Sequence, residues 1–201
     1  YLHLDSMLHV AAKHGHANII TFLIGKKANP NIQNSLGLTP LHAAFACADV
    51  KARLEVVKAL IVGKANVNIA DVHQQVPLLF AARLRDWASM NALLEAGAFP
   101  EIQDLRDGQT SLHEAAASGE VEAVTALLAK GADPNARNAN EQSACDIAAS
   151  IKARDILYEL LKAKGTVNLE FKDHIDQFLP PAVELGLVDM VEQIVVAKPE
   201  L

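Results

Sequence analysis

Aromatic side chains are scarce in this 201-residue chain: six Phe, two Tyr and one Trp make up 4% of it. A core built around large rings is therefore excluded, although 51% of the residues are hydrophobic. That apolar content is mostly Ala, Leu, Val and Ile, which suits thin helices packed closely. Cysteine is nearly missing too. Cys47 and Cys145 are the only two, each in an Ala-rich stretch. They are too few and too far apart for a disulfide framework or a thiolate metal site, and read as buried free thiols in a reducing compartment. No run of about 18 apolar residues occurs, so no membrane insertion by an apolar helix is expected, and the sequence shows no secretory signal pattern. There is no excess of positive charge. The formal net charge is −6, with Lys and Arg scattered among acids, so no nucleic acid is expected as a partner.

What the chain does have is a repeat. Thr39-Pro40-Leu41-His42-Ala43-Ala44 is its clearest copy. Related stretches begin at Ser6, Val76, Thr110, Ser143 and, in worn form, Gln177, at steps of 33, 37, 34, 33 and 34 residues. Each is followed by a second apolar stretch, such as Ile19, Ile20, Leu23 or Val124, Leu127, Leu128, at helical spacing. Each unit then closes in a loop such as Ala28-Asn29-Pro30-Asn31 or Ala132-Asp133-Pro134-Asn135. The spacing predicts a helix pair per unit. Thr39 caps the first helix and Pro40 occupies its first position, where a missing N–H costs nothing. Gly15 and Gly119 suit the bend between the helices, while Leu36-Gly37 and Asp107-Gly108 mark turns between units. A single pair cannot bury its apolar side, so neighbours complete the core.

The copies depart from the pattern in readable places. Four extra residues lie in the second unit, within Ala48 to Leu54, and read as a longer inter-helix loop, with a dedicated contact as the alternative. In the third unit Val76 replaces the capping residue, Leu79 the His, and Arg85 the usual Gly. A helix capped less well by about 1 kcal/mol is expected there. The fifth unit keeps only Ser143, and Pro180-Pro181 should delay the helix start in the sixth. The chain begins with Tyr1 rather than Met, and its last helix carries Val188, Met190, Val191, Ile194, Val195 and Val196 with no cap after it; the chain reads as a fragment of a protein that continues at one or both ends.

These registered copies resemble the ankyrin repeat family over essentially the whole chain. The resemblance implies an all-α solenoid of stacked helix-turn-helix units with finger loops, a single domain with repeats near 1–34, 35–71, 72–104, 105–138, 139–171 and 172–201. It also implies a scaffold that binds another protein through a concave groove, on the order of 50 Å long for six pairs about 8–10 Å apart. Mapped onto this chain, the partner-binding positions are Lys13, His14, Phe80, Arg83, Leu84 and Glu114 on first helices, and Leu36, Val72, His73, Leu105 and Arg106 on fingers, with Phe171 and Lys172 further finger positions. Phe80, Arg83 and Leu84 read either as a hot spot or as ordinary packing with one solvated Arg; Trp87 reads as core. Asn31, Asn68 and Asn135 take the family's recurrent loop Asn, a turn-stabilising residue and, in animal members, a hydroxylation position. The domain is expected to be monomeric and cytoplasmic or nuclear, or in a host cytosol if it belongs to a bacterial effector. An attached catalytic domain, with this segment recruiting its substrate, is the rival expectation.

Chemistry within the segment is not expected. His9, His42 and His113 fall on one slot of the repeat and read as structural. His14 and His16 are two apart and do not face each other on a helix, so neither a metal nor a cofactor is expected. Cys47 and His42 lack an orienting third group, and no phosphate loop or nucleophile elbow occurs.

Overall fold

The computed structural model describes residues 5–166, 168 and 172–198, except the side chains of Lys172 and Asp173. Phe171, and the Lys172 side chain expected on a finger, lie outside the described residues. The fold is all-α, with no strand among the described residues. Among the described residues, twelve α-helices come in six pairs: α1 (Met7–Lys13) with α2 (Ala17–Gly25), α3 (Pro40–Ala44) with α4 (Val50–Val62), α5 (Pro77–Arg83) with α6 (Trp87–Glu95), α7 (Ser111–Ser118) with α8 (Val121–Ala129), α9 (Ala144–Ser150) with α10 (Arg154–Lys162), and α11 (Leu179–Glu184) with α12 (Val188–Ala197). The chain divides into two compact units, Tyr1–Arg106 and Asp107–Leu201.

In the first unit, first helices pack on first helices and second on second: α1 on α3, α3 on α5, α2 on α4, α4 on α6. The Ala pairs make this close approach feasible. Ala11, Ala12, Ala44, Ala81 and Ala82 are all buried, beneath Leu8, Leu41 and Leu78, and each buried Leu stabilises the stack by about 1.5–3 kcal/mol. Second helices contribute Ile20, Val56, Val57, Leu60, Met90, Leu93 and Leu94. Trp87, expected in the core, is only half-buried at the first position of α6, because the inward stripe of that helix is carried by Ser89, Met90, Leu93 and Leu94.

The extra residues of the second pair form helix rather than a longer loop. Asp49 caps α4, its carboxylate accepting from the N–H of Lys51 and of Ala52 at 2.9 and 3.1 Å. The helix runs 13 residues, against nine in α2, α6, α8 and α10. The added turn carries Arg53, which is buried. Its guanidinium donates to the Cys47 carbonyl at 3.0 and 2.6 Å and to Asp86 at 3.1 Å. The alternative of a dedicated contact is therefore the one realised.

In the second unit, α7 packs on α9 and α8 on α10. The last pair is set differently. A 3₁₀ turn, Lys172–Phe178, packs on α9 and buries Ile175 and Phe178, while α11 packs on α10. The expected delay of the helix start is not what Pro180-Pro181 produce: α11 follows the 3₁₀ turn directly at Leu179 and takes both prolines into its first turn.

Candidate functional site

The fingers are held by one histidine device. The Nδ1 atoms of His9, His42 and His113 accept the backbone N–H of Ser6, Thr39 and Thr110 at 3.2, 3.0 and 3.1 Å, with the cap hydroxyl 2.8 Å away. An accepting Nδ1 leaves the proton on Nε2. That N–H donates one repeat ahead, to the carbonyls of Leu38, Gln75 and Gln142 at 2.8, 3.0 and 3.0 Å. Burial lowers the His42 pKa to about 4, and burial also lowers that of His113. Each ring thus caps its own helix and anchors the next finger. In the fifth repeat, Asp146 takes over the local half of this role, which its sequence did not suggest. Asp146 Oδ2 accepts from the N–H and hydroxyl of Ser143 at 2.8 and 2.9 Å. A carboxylate cannot donate forward, and the buried Oδ1 has no partner. The Leu79 side chain has no nitrogen to replace the imidazole, and α5 lacks a side-chain cap as expected.

The loop asparagines also reach forward, rather than steadying their own turns. Asn31 accepts from Asn66 N–H at 2.7 Å. Asn68 donates to Gly97 and accepts from Phe99 N–H, at 3.0 and 2.8 Å. Asn135 does the same to Lys164 and Thr166, at 3.1 and 2.8 Å. Their own turns are closed by the preceding Asn29, Asn66 and Asp133.

Finger turns are shaped by Asn34, Asp71, Asp104 and Asn138, whose Oδ1 atoms accept from N–H groups two residues on. Gly37 and Gly108 are left-handed, at φ +72° and +66°. A methyl group on Gly108 would sit 2.8 Å from the Ala139 nitrogen, so this turn needs glycine twice over. Asp104 is fully buried and takes Arg83 at 2.6 Å, Arg106 at 2.9 Å and Gln75 at 2.8 Å. Burial alone would raise its pKa; the hydrogen bonds from Arg106 and Arg83 outweigh that and hold it well below the usual carboxylate range.

Of the sequence-predicted positions, Lys13, His14, Leu36, Val72, His73, Leu84, Leu105 and Arg106 are exposed, whereas Phe80, Arg83 and Glu114 are half-buried. Phe80 lies edge-on to His42 at 5.4 Å and stacks near Phe45 at 6.3 Å. Arg83 is not a solvated cation but one half of the Asp104 pair. His14 and His16 come together after all, ring centroids 6.2 Å apart, because they flank the turn between α1 and α2 instead of sharing a helix. Among the described residues no group of three or more His, Cys, Asp or Glu is arranged to hold a metal. No helix there is long and apolar enough to cross a membrane. Cys47 and Cys145 are buried free thiols, and burial pushes the Cys145 pKa up, which makes a thiolate unfavourable.

Comparison with known proteins agrees with this geometry. A family model described as Ankyrin repeats matches in three overlapping copies, at residues 8–104, 50–138 and 89–173. The chain is 34% identical over 140 residues to Neurogenic locus notch homolog protein 1 of Danio rerio, which covers 69% of this chain and 6% of that protein. The Homo sapiens protein of that name is 34% identical over 141 residues, 69% of this chain and 5% of its own length. Zygote-specific protein 3 of Chlamydomonas reinhardtii is 38% identical over 115 residues, 57% of this chain and 30% of that protein. The chain therefore corresponds to less than a third of each of these relatives.

Proposed function

Because the chain belongs to the ankyrin repeat family, we propose that it is a scaffold that holds a partner protein on its first helices and fingers. The observation that carries this reading is the exposure of aliphatic side chains on fingers that are joined to one another by backbone hydrogen bonds. Leu36, Val72 and Leu105 stand exposed on successive fingers, Val10 on α1 and Leu84 at the C-cap of α5. The fingers beneath them are joined backbone to backbone, Val72 N–H to the Leu36 carbonyl and Leu105 N–H to the His73 carbonyl, both at 3.2 Å. Rigid, pre-ordered apolar groups lose little entropy on binding, which favours recognition without rearrangement. Lys13, His14, His73 and Arg106 border them, with Phe80 and Arg83 setting the floor; Glu114 is the corresponding position on α7.

Within this reading the sixth helix pair counts as a repeat, the segment is monomeric and non-enzymatic, and its setting is the cytoplasm or nucleus, where buried thiols stay reduced. Arg83 and Phe80 are poor probes, since replacing either disturbs the Asp104 and His42 contacts. The test instead uses Leu36→Asp, Val72→Asp and Leu105→Asp together, against the exposed rear control Val62→Asp. With helicity unchanged by circular dichroism, the three-site finger variant should lose partner proteins captured by the parent, while the control keeps them. Identical capture by all three proteins would refute the assignment of this face.

A further inference from the structure

The helix ends around the inter-helix turns of the first three repeats carry a pattern that extends the scaffold reading. Each presents one exposed aliphatic beside one exposed cation: Val10 with Lys13, Val50 with Lys51, Leu84 with Arg85. The turns adjoin. A methyl group on Gly15 would meet the Ala52 Cβ at 2.8 Å and the Cys47 sulfur at 3.1 Å. Arg53, next along from Ala52, joins the Cys47 carbonyl to Asp86, the residue after Arg85. Acids on this rim are mostly consumed by the fold. Asp86 is buried, paired with Arg53 and capping α6 through Ser89 N–H. Asp49 is exposed, but its Oδ1 holds the N–H groups of Lys51 and Ala52. Three cations therefore face one partly engaged carboxylate.

Two of those cations sit where local physics disfavours them. Lys51 lies in the first turn of α4, against the positive end of the helix dipole. Arg85 holds φ +53°, a left-handed conformation that Gly15 and Gly119 adopt without a Cβ penalty and that Lys152 shares at the same turn of the fifth repeat. The same bias shows in the charge of the unit: residues 1–106 hold ten Lys and Arg against eight Asp and Glu, residues 107–201 hold eight against sixteen.

Resting on the scaffold reading, we propose that this rim receives an acidic, aliphatic segment of the partner protein in extended form, one carboxylate and one aliphatic side chain per repeat. Helix pairs about 10 Å apart match about three residues of extended chain, so the segment is about nine or ten residues long. Three cations interleaved with aliphatics suit a peptide. Single-stranded nucleic acid would call for a denser cationic track with exposed aromatic stacking platforms.

The probe is a fluorescein-labelled peptide of four Ser-Glu-Leu repeats, titrated by fluorescence anisotropy, with Ser-Gln-Leu, Ser-Lys-Leu and oligo-dT of similar length as controls. The Glu peptide should bind saturably, more weakly as salt rises, and about tenfold more tightly than the Gln peptide. The combined variant Lys13→Gln, Lys51→Gln, Arg85→Gly should lose that preference while its melting temperature stays level or rises. This outcome separates lost recognition from lost folding. No saturation by about 1 mM peptide, equal affinity for the Glu and Gln peptides, tighter binding of oligo-dT, or an unaffected variant would each overturn the proposal. Retained partner capture by the rim variant, with capture lost in the finger variant, would sink the rim and leave the scaffold reading standing. Unchanged capture by both would remove both.

Discussion

A ring that accepts at Nδ1 and donates at Nε2 works only while neutral. Protonating His42 would set a donor against the Thr39 N–H, within an interior that already lowers its pKa to about 4. The unfolded chain binds that proton near pH 6.5. The stabilisation is therefore complete above about pH 6.5 and is lost as pH falls towards 4, by about 3 kcal/mol in all. Urea midpoints at pH 7 and pH 5 should show this loss, and His42→Leu should be less stable at pH 7 yet flatter between the two. A midpoint equally pH-dependent in His42→Leu would show that other groups carry the effect. The left-handed residues give a prediction of the opposite sign. Arg85→Gly and Lys152→Gly, at φ +53° and +58°, should each stabilise by about 1 kcal/mol, read as a raised urea midpoint.

At the scale of elements, the inserted turn of α4 matters because it is clamped at both ends. Arg53 ties the end of the α3 turn to the cap of α6, and both ion-pair partners are almost fully buried. Removing one partner leaves the other charged and dry. Arg53→Ala is expected to cost about 3–5 kcal/mol, far more than a surface lysine such as Lys58→Ala, whose pair with Glu55 is exposed. Equal unfolding free energies for the two variants would contradict the clamp. The insertion was visible in the sequence as a step of 37 between Thr39 and Val76, but its conformation was not. Whether four residues make loop or helix depended on Asp49 finding free N–H groups and Arg53 finding Asp86, 33 residues away.

Across the whole molecule, stability should follow how well each pair is covered by its neighbours. In α12 only Ile194 is buried, while Val188, Val195 and Val196 are exposed. In α8, Ala123, Val124 and Leu127 are all buried. Amide protons of α12 should therefore exchange faster than those of α8, by roughly a hundredfold or more, in hydrogen exchange read by mass spectrometry or NMR. Similar protection in both helices would mean that α12 is held by more than its own buried contact.

The period, the Ala-Ala pairs and the Thr-Pro-Leu-His slots are local, and from them the sequence determined the all-α class, the helix pairs and the family. Each slot repeats the same short-range chemistry of capping, helix start and bend. It also placed the histidines as structural and most of the finger positions on the surface. Tertiary structure decided what each of those residues reaches. His42 donates to Gln75 and Asn68 to Gly97, and Arg83 is drawn onto Asp104. Trp87 sits half out of the core because its helix turned another stripe inward. These outcomes depend on partners about 20 to 35 residues distant or on the rotation of one helix against its neighbour, and periodicity within a repeat carries no information on either.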